Sequence, residues 1–463
     1  MPFSDMQKFL VLGSVGITNV FLNEIVFKGN KTEQKSMHSV LKNNLRDISE
    51  QNTWFNIDDI DQNKQLSRFY VQYNDFSRSK SSYSTVSQKD IIVSKILNDK
   101  TIDRHTIPPE HAKVFNEVAS HHLLIFQDVF IHFFENSNAV LIASVDLTEL
   151  SLDETQYEAL VMAIHAVFPK YFKKDFDEAI KQFQQVCMKY EDMFHGSETH
   201  ERFIFQKSPK FTDQIRNETL KFSIFNHFFK QQSDYDCKLD SFFEDAENLK
   251  SNELMKTHEG TFRYGYTHSI IELKDTKDNF KDMVLKQRIP LIMVLANWAS
   301  IRALSMNIDY IQDEYQQKGE SRLNIFGMKK RREVLNRHLL IMKFITATLD
   351  GYNSSNNPVY FSQIESYRKA FFEMTSLERL ERKIDVTKAL SEEIDRIRKQ
   401  RGEGLLEISL LLLTSLSIFT AIEVFFKIQG DYSPGVQSTI YSVALLVIGM
   451  FLIFHVIVNK MKS

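Results

Sequence analysis

Apolar residues run almost unbroken through two stretches near the end of the chain, Leu405–Phe426 and Ile440–Val458. Each matches the ~20 apolar residues that cross a bilayer core of ~30 Å. The pattern therefore predicts two transmembrane helices joined by a short polar loop, with Ser433, Pro434 and Gly435 suited to a tight turn. Upstream, apolar residues recur at steps of three or four through Ile364, Tyr367, Phe371, Met374, Leu377, Leu380, Ile384, Thr387, Leu390, Ile394 and Ile397. This is the stripe of one continuous amphipathic helix. Glu378/Arg382, Glu392/Arg396 and Asp395/Lys399 are acid-before-base pairs one turn apart on its wetter side. Carried from Phe361 to Phe426, such a helix measures about 100 Å at ~1.5 Å per residue.

The first part of the chain alternates between strand and helix patterns. Lys8–Leu12 and Asn19–Phe27 read as strands on either side of a turn at Gly13-Ser14-Val15-Gly16, a segment without the third glycine and Lys-Ser/Thr of a phosphate loop. No basic leader or small-residue cleavage pattern accompanies it, so no signal peptide is expected. Ser77–Ser87 reads as a linker. His122–Phe134 and Ala139–Val145 read as a hairpin joined by Glu135-Asn136-Ser137-Asn138. Ser151 and Glu154 have capping-box spacing, and Tyr157, Leu160, Val161, Ile164 and Phe168 follow at helical intervals. Pro169 is expected to stop that helix, and a second helix follows over Asp175–Phe194, with Phe176, Ile180, Phe183 and Cys187 on one face. Phe203–Phe205 and Ser269–Leu273 suit strands. From Phe280 the pattern is helical, broken by the polar connector Asp350–Pro358. The expected fold class is an α+β cytosolic domain (1–279), then a helical region with a long stalk helix (280–401), then a C-terminal two-helix transmembrane hairpin (402–463).

Charge orients the hairpin. Arg396, Arg398, Lys399 and Arg401 precede the first stretch and Lys460 and Lys462 follow the second, while the loop carries only Lys427 and Asp431. Basic residues collect on the cytoplasmic side, which predicts a plasma (inner) membrane protein with both termini in the cytoplasm. The net charge of −3 gives no indication of direct nucleic-acid binding. Cys187 and Cys237 form no CxxC, which suits a reducing compartment. Heavy use of Phe (38) against sparse Gly (14) and Pro (8) favours long packed helices. HExxH, GxSxG and a Walker A loop are absent, and His195/His200 and His121/His122 lack a matching ligand set. No enzyme, cofactor or metal site is expected.

At ~100° per residue, Ser409, Leu413, Leu416, Thr420 and Glu423 fall on one face of the first stretch, in line with Lys427. Hydroxyls alternating with Leu and ending in a carboxylate suit a narrow cation pathway, since Glu rings attract cations and Leu rings gate by dewetting. The plain alternative is that Glu423 reaches the headgroups and pairs with Lys427, the hydroxyls serving as helix-packing glue. Glu407 and His455 lie near the inner interface and read as solvated and structural.

The stalk at Phe361–Arg401, the stretch Leu405–Phe426, the loop Lys427–Gln437, the stretch Ile440–Val458 and the tail Asn459-Lys460-Met461-Lys462 together resemble the CorA-type metal-ion transporters. The resemblance rests on organisation over the last hundred or so residues. It implies a homo-oligomer, a pentamer by family pattern. That family places Gly-Met-Asn at the outer end of the first span, where this chain reads Phe425-Phe426-Lys427-Ile428-Gln429-Gly430. Its route to Mg²⁺ selectivity is thus missing. CorA-like proteins without this motif occur as effectors of type III CRISPR systems, which implies gating by a nucleotide messenger joining S-adenosylmethionine to AMP (SAM-AMP). The densest basic cluster, Lys329, Lys330, Arg331 and Arg332 with Arg337, is the candidate for its phosphate, the alternative being a solvated or lipid-facing helix surface.

Three functions follow as expectations. The first is a CorA-like channel in the lipid bilayer, gated by SAM-AMP as an antiviral effector. The second is a divergent Mg²⁺/Co²⁺ transporter. The third is a membrane-anchored sensor or scaffold that conducts nothing.

Overall fold

The structure is a computed structural model that describes residues 3–21, 31–49, 53–56, 59, 91–119, 122–134, 136–189, 223–231, 253–256, 260–265, 268–274, 280–319, 358–370, 378–389 and 433–462, with short runs between 392 and 426. Contacts divide the chain into two units: 1–319 with 336–384, and 320–335 with 385–463.

The first unit is built on a ten-stranded mixed sheet. Its strands are β1 (Lys8–Phe21), β2 (Trp54–Phe55), β3 (Ile91–Leu97), β4 (Lys100–Thr101), β5 (Ile125–Phe134), β6 (Asn136–Asp146), β7 (Ser223–Gln231), β8 (Glu253–Lys256), β9 (Gly260–Tyr264) and β10 (His268–Lys274). They run in the order β2-β3-β5-β6-β1-β7-β10-β9-β8, with β4 beside β5. β7 and β10 pair in parallel, with Ile270 opposite His227. The other described pairs are antiparallel, including the β5–β6 hairpin that the alternation predicts.

Alternation along β1 sets up the two faces. Leu10 and Leu12 face a core completed by α1 (Lys31–Ser49), α2 (Pro109–Ala119) and α3 (Glu154–Lys189). Phe9, Val11 and Val15 face a second core under α4 (Phe280–Gly319) and α5 (Pro358–Ala370). β1 is a single strand and not two strands about a glycine turn. Its glycines answer to close packing: a Cβ on Gly13 would stand 2.4 Å from Leu295 Cδ1, and one on Gly16 would stand 2.8 Å from Ile180 and 2.9 Å from Phe176.

α3 also departs from expectation. Pro169 lies inside the helix instead of ending it. The apolar stripe of Tyr157, Leu160, Val161, Ile164 and Phe168 continues through Phe172, Phe176, Ile180, Phe183 and Cys187, all buried. That continuous burial outweighs the single backbone bond a proline removes. The capping box sits two residues beyond the expected one: Gln156 N–H donates to Asp153 Oδ1 (2.8 Å) and Asp153 N–H to Gln156 Oε1 (3.1 Å).

The described part of the stalk stripe is used within the chain. Ile364, Tyr367 and Ala370 of α5 complete the core under α4, and the Tyr264 and Tyr367 rings meet at 4.1 Å. The helical segment 378–389 buries Leu380 and Ile384, and Lys383 Nζ reaches Asp309 and Ser305 of α4 at 2.7 and 2.8 Å. Beyond it, Lys388 pairs with Glu392 (4.0 Å) and Arg396 with Glu393 (2.6 Å), in place of the expected Glu392/Arg396 pair.

In the second unit, a last helix, α6, spans Pro434–Lys462. The expected transmembrane hairpin is overturned here: among the described residues no helix is long and apolar enough to cross a membrane. The first turns of α6 carry the polar Gln437, Ser438 and Thr439, with Val436 exposed beside them. The fold class in hand is a mixed α/β sheet unit plus a helical C-terminal unit. Phe203–Phe205, the linker Ser77–Ser87, Cys237 and the connector up to 357 lie outside the described residues.

Candidate functional site

Of the residues singled out for the pore and the ligand, three are described. Lys329, Lys330, Arg331, Arg332 and Arg337 lie outside the described residues, as do Ser409 and Leu416. Leu413, Thr420 and Glu423 are exposed. Neighbouring hydroxyls turn inward: Thr414 Oγ1 donates to the Leu410 carbonyl (2.7 Å) and Ser417 Oγ to the Leu413 carbonyl (2.9 Å). Such bonds to the preceding turn satisfy a hydroxyl on its own helix.

Large apolar side chains are exposed in the same unit. Leu413 (62 %), Leu445 (61 %), Leu446 (62 %) and Met450 (58 %) are among the most exposed large apolar side chains, with Leu410, Val424, Phe425 and Val443 also exposed. No charged residue occurs between Ser433 and Met450. The Phe426 and Tyr441 rings meet at 5.7 Å, a contact within this unit.

The sheet unit carries two buried polar clusters, one on each face. Under α4, Arg288 Nη1 donates to the Asp128 carbonyl (3.4 Å), Nη2 bonds Ser144 Oγ, and Nη2 stands 3.6 Å from Asp128 Oδ2. Asp128 holds a left-handed φ of 52° beside a bulge in β5, a region uncommon for a residue other than glycine. The bulge turns this carboxylate toward a guanidinium that is 2 % exposed. Burial lowers the Arg288 pKa to about 10 against the raising effect of Asp128. Nearby, His132 Nδ1 and Ser94 Oγ are 2.8 Å apart. Burial, then Arg288, lowers the His132 pKa to about 3, so the ring is neutral.

Under α3, Tyr157 Oη lies 2.8 Å from His227 Nδ1, and His227 Nε2 lies 3.0 Å from His268 Nδ1. The two imidazoles stack at 5.3 Å. Burial, then His268, lowers the His227 pKa well below its usual value, and burial, then His165, lowers that of His268 to about 3. Among the described residues, no group of three or more His, Cys, Asp or Glu side chains is arranged to hold a metal ion.

Sequence reading passed over both clusters. Their hydrogen-bonded partners stand 38 to 160 residues apart, and no local spacing marks those pairs. The one available signal was a set of polar residues inside strand patterns otherwise apolar: His132, Ser144, His227 and His268. Three further comparisons bear on identity: no protein-family model, no curated protein and no solved structure matches this chain.

Proposed function

We propose that the chain is an effector that acts at a lipid bilayer, taking a cytosolic nucleotide-type ligand and raising ion permeability through its C-terminal unit as a homo-oligomer. The observation that carries this reading is the exposed aliphatic surface of Leu413, Leu445, Leu446 and Met450, with no charged residue from 408 to 422 or from 433 to 450. Contiguous exposed apolar surface on a folded chain marks a membrane or protein contact. Basic residues flank it, Lys460 and Lys462 on one side and Arg396 to Arg401 on the other, and these favour anionic lipid at about 1 kcal/mol each near the surface. Hydroxyls that bond their own helix keep that surface dry. The ligand class follows from the CorA-like effector resemblance, with Lys329 to Arg332 and Arg337 as its candidate contacts.

The test is flotation of the full-length protein with vesicles of neutral and anionic phospholipid, followed by ion-flux assays on the same vesicles. Flotation that falls with Leu445→Glu/Leu446→Glu, and flux that appears with SAM-AMP, support the reading. Constitutive flux sensitive to Mg²⁺ or Co²⁺ supports the transporter alternative. Flotation without flux reduces the protein to a membrane-attached sensor or scaffold. Failure to float removes the membrane role altogether.

A further inference from the structure

We propose that Tyr157, His227 and His268, with His165 beside them, form an acid-released latch that fastens α3 to the β7–β10 pair of the sheet. Its parts come from three elements: Tyr157 and His165 from α3, His227 from β7 and His268 from β10. β7–β10 is the parallel pair of the sheet, and parallel pairing is slightly weaker per residue than antiparallel pairing. A side-chain lock placed there has the most to hold.

The two nitrogens of each imidazole couple the bonds of the latch to one another. A neutral imidazole has one N–H and one acceptor nitrogen. His227 spends both, one on Tyr157 and one on His268. If Tyr157 donates to His227 Nδ1, then His227 Nε2–H donates to His268 Nδ1. A proton added to His268 Nδ1 would face the His227 N–H. It fits only if the His227 proton moves to Nδ1 and the Tyr157 hydroxyl turns its hydrogen elsewhere. A proton added to His227 likewise forces the Tyr157 hydroxyl to turn. In that direction no proton enters without reversing the bonds of the closed latch; in the opposite direction, with His268 Nδ1–H donating to His227 Nε2 and His227 Nδ1–H to Tyr157, burial is what penalises a proton on His268 Nε2.

The surroundings mostly oppose protonation. His165 of α3, itself beside His111 of α2, faces His268. Lys8 of β1 bonds the Ser4 and Met6 carbonyls at 3.0 Å, and its Nζ lies over the Phe3 ring that contacts Tyr157. Asp5 accompanies Lys8, and Glu272 lies along the same face of β10 as His268. Acid therefore acts on the open form. Once α3 lifts, His227 and His268 titrate near the ordinary histidine pKa of about 6.5 and trap the opened state. Two protons taken up on opening shift the open population by up to about 100-fold per pH unit below that value.

The experiment is hydrogen–deuterium exchange of the full chain between pH 7.5 and 5, corrected for intrinsic exchange, following α3, β7 and β10. The wild type is expected to lose α3 protection by more than 10-fold per pH unit below 6.5. His268→Gln halves the slope on a logarithmic scale. Tyr157→Phe lowers protection at pH 7.5 and keeps the slope. His132→Gln, on the opposite face, leaves the α3 slope unchanged. If His268→Gln does not fold, the wild-type profile still decides. Protection in α3 that is flat from pH 7.5 to 5 overturns the latch, and so does a His268→Gln slope equal to that of the wild type.

Discussion

The Tyr157 hydroxyl and the His227 Nδ1 stand 2.8 Å apart, tying the first turn of α3 to the middle of β7 across a buried face. Both groups are fully buried, so neither can turn to water if the other is removed. Tyr157→Phe keeps the ring contacts with Phe3 and Phe229 while deleting the hydroxyl. The expected loss is about 1–2 kcal/mol, the cost of one buried hydrogen bond and of a desolvated imidazole nitrogen. Urea unfolding measures it as a lower midpoint with an unchanged m-value; no shift would mean that His227 finds another partner.

Acid should destabilise the whole sheet unit in a defined window. The pKa of His132 and that of His268 are lowered from 6.5 to about 3, and that of His227 lies well below 6.5. Above 6.5 both folded and unfolded chains hold these rings neutral, and stability does not depend on them. Between 6.5 and 3 the unfolded chain binds protons that the folded one refuses, so stability falls as pH falls. Each histidine contributes a slope of up to ~1.4 kcal/mol per pH unit. Urea midpoints at pH 7.5, 6 and 5 test this. A midpoint that rises on acidification would contradict neutral buried rings.

Those histidines also show where sequence reading ends. The stripe of α3 was legible because a 3.6-residue period repeats over many turns, and Tyr157 to Phe168 bury as the spacing says. Pro169 misled because a proline announces a broken bond, whereas Phe172, Phe176 and Ile180 behind it announce continued burial, and the burial prevails. Gly13 and Gly16 misled because a missing side chain serves a turn or a close approach equally well in one dimension. Tyr157, His227 and His268 were unreadable because their bonds span 70 and 41 residues. Such contacts exist only once the sheet order is known. Of the pore candidates, Leu413, Thr420 and Glu423 are described and exposed. The face they share on a helical wheel rests on period alone.

The two β1 glycines separate by what crowds them. A Cβ on Gly13 meets Leu295 Cδ1, the far end of a flexible side chain that can move aside. A Cβ on Gly16 meets two atoms of the Phe176 ring at 2.9 Å as well as Ile180, and a ring packed in the core of α3 cannot bend. Gly16→Ala should therefore cost about 1–3 kcal/mol through overpacking. Gly13→Ala should cost less than 1 kcal/mol, since alanine in a strand otherwise gains a few tenths. Thermal melts of the two variants rank them; equal melting temperatures would show that α3 shifts as readily as Leu295.

The Asp128–Arg288 pair gives the sharpest energetic test, because its two partners fail in different ways when separated. Arg288→Met leaves a carboxylate that is nearly buried and still held at positive φ by the β5 bulge. Asp128→Asn tolerates that backbone conformation but removes the carboxylate beside a buried guanidinium, which keeps its bonds to the backbone carbonyl and Ser144. Each single change should cost about 3–5 kcal/mol, the price of an uncompensated buried charge. The double variant removes both charges together, and its loss should fall below the sum of the singles by at least ~1 kcal/mol. Urea unfolding of the three variants closes the cycle. Additive losses would show that the 3.6 Å approach of Arg288 Nη2 to Asp128 Oδ2 contributes nothing to stability and that the carbonyl and Ser144 bonds hold Arg288 alone.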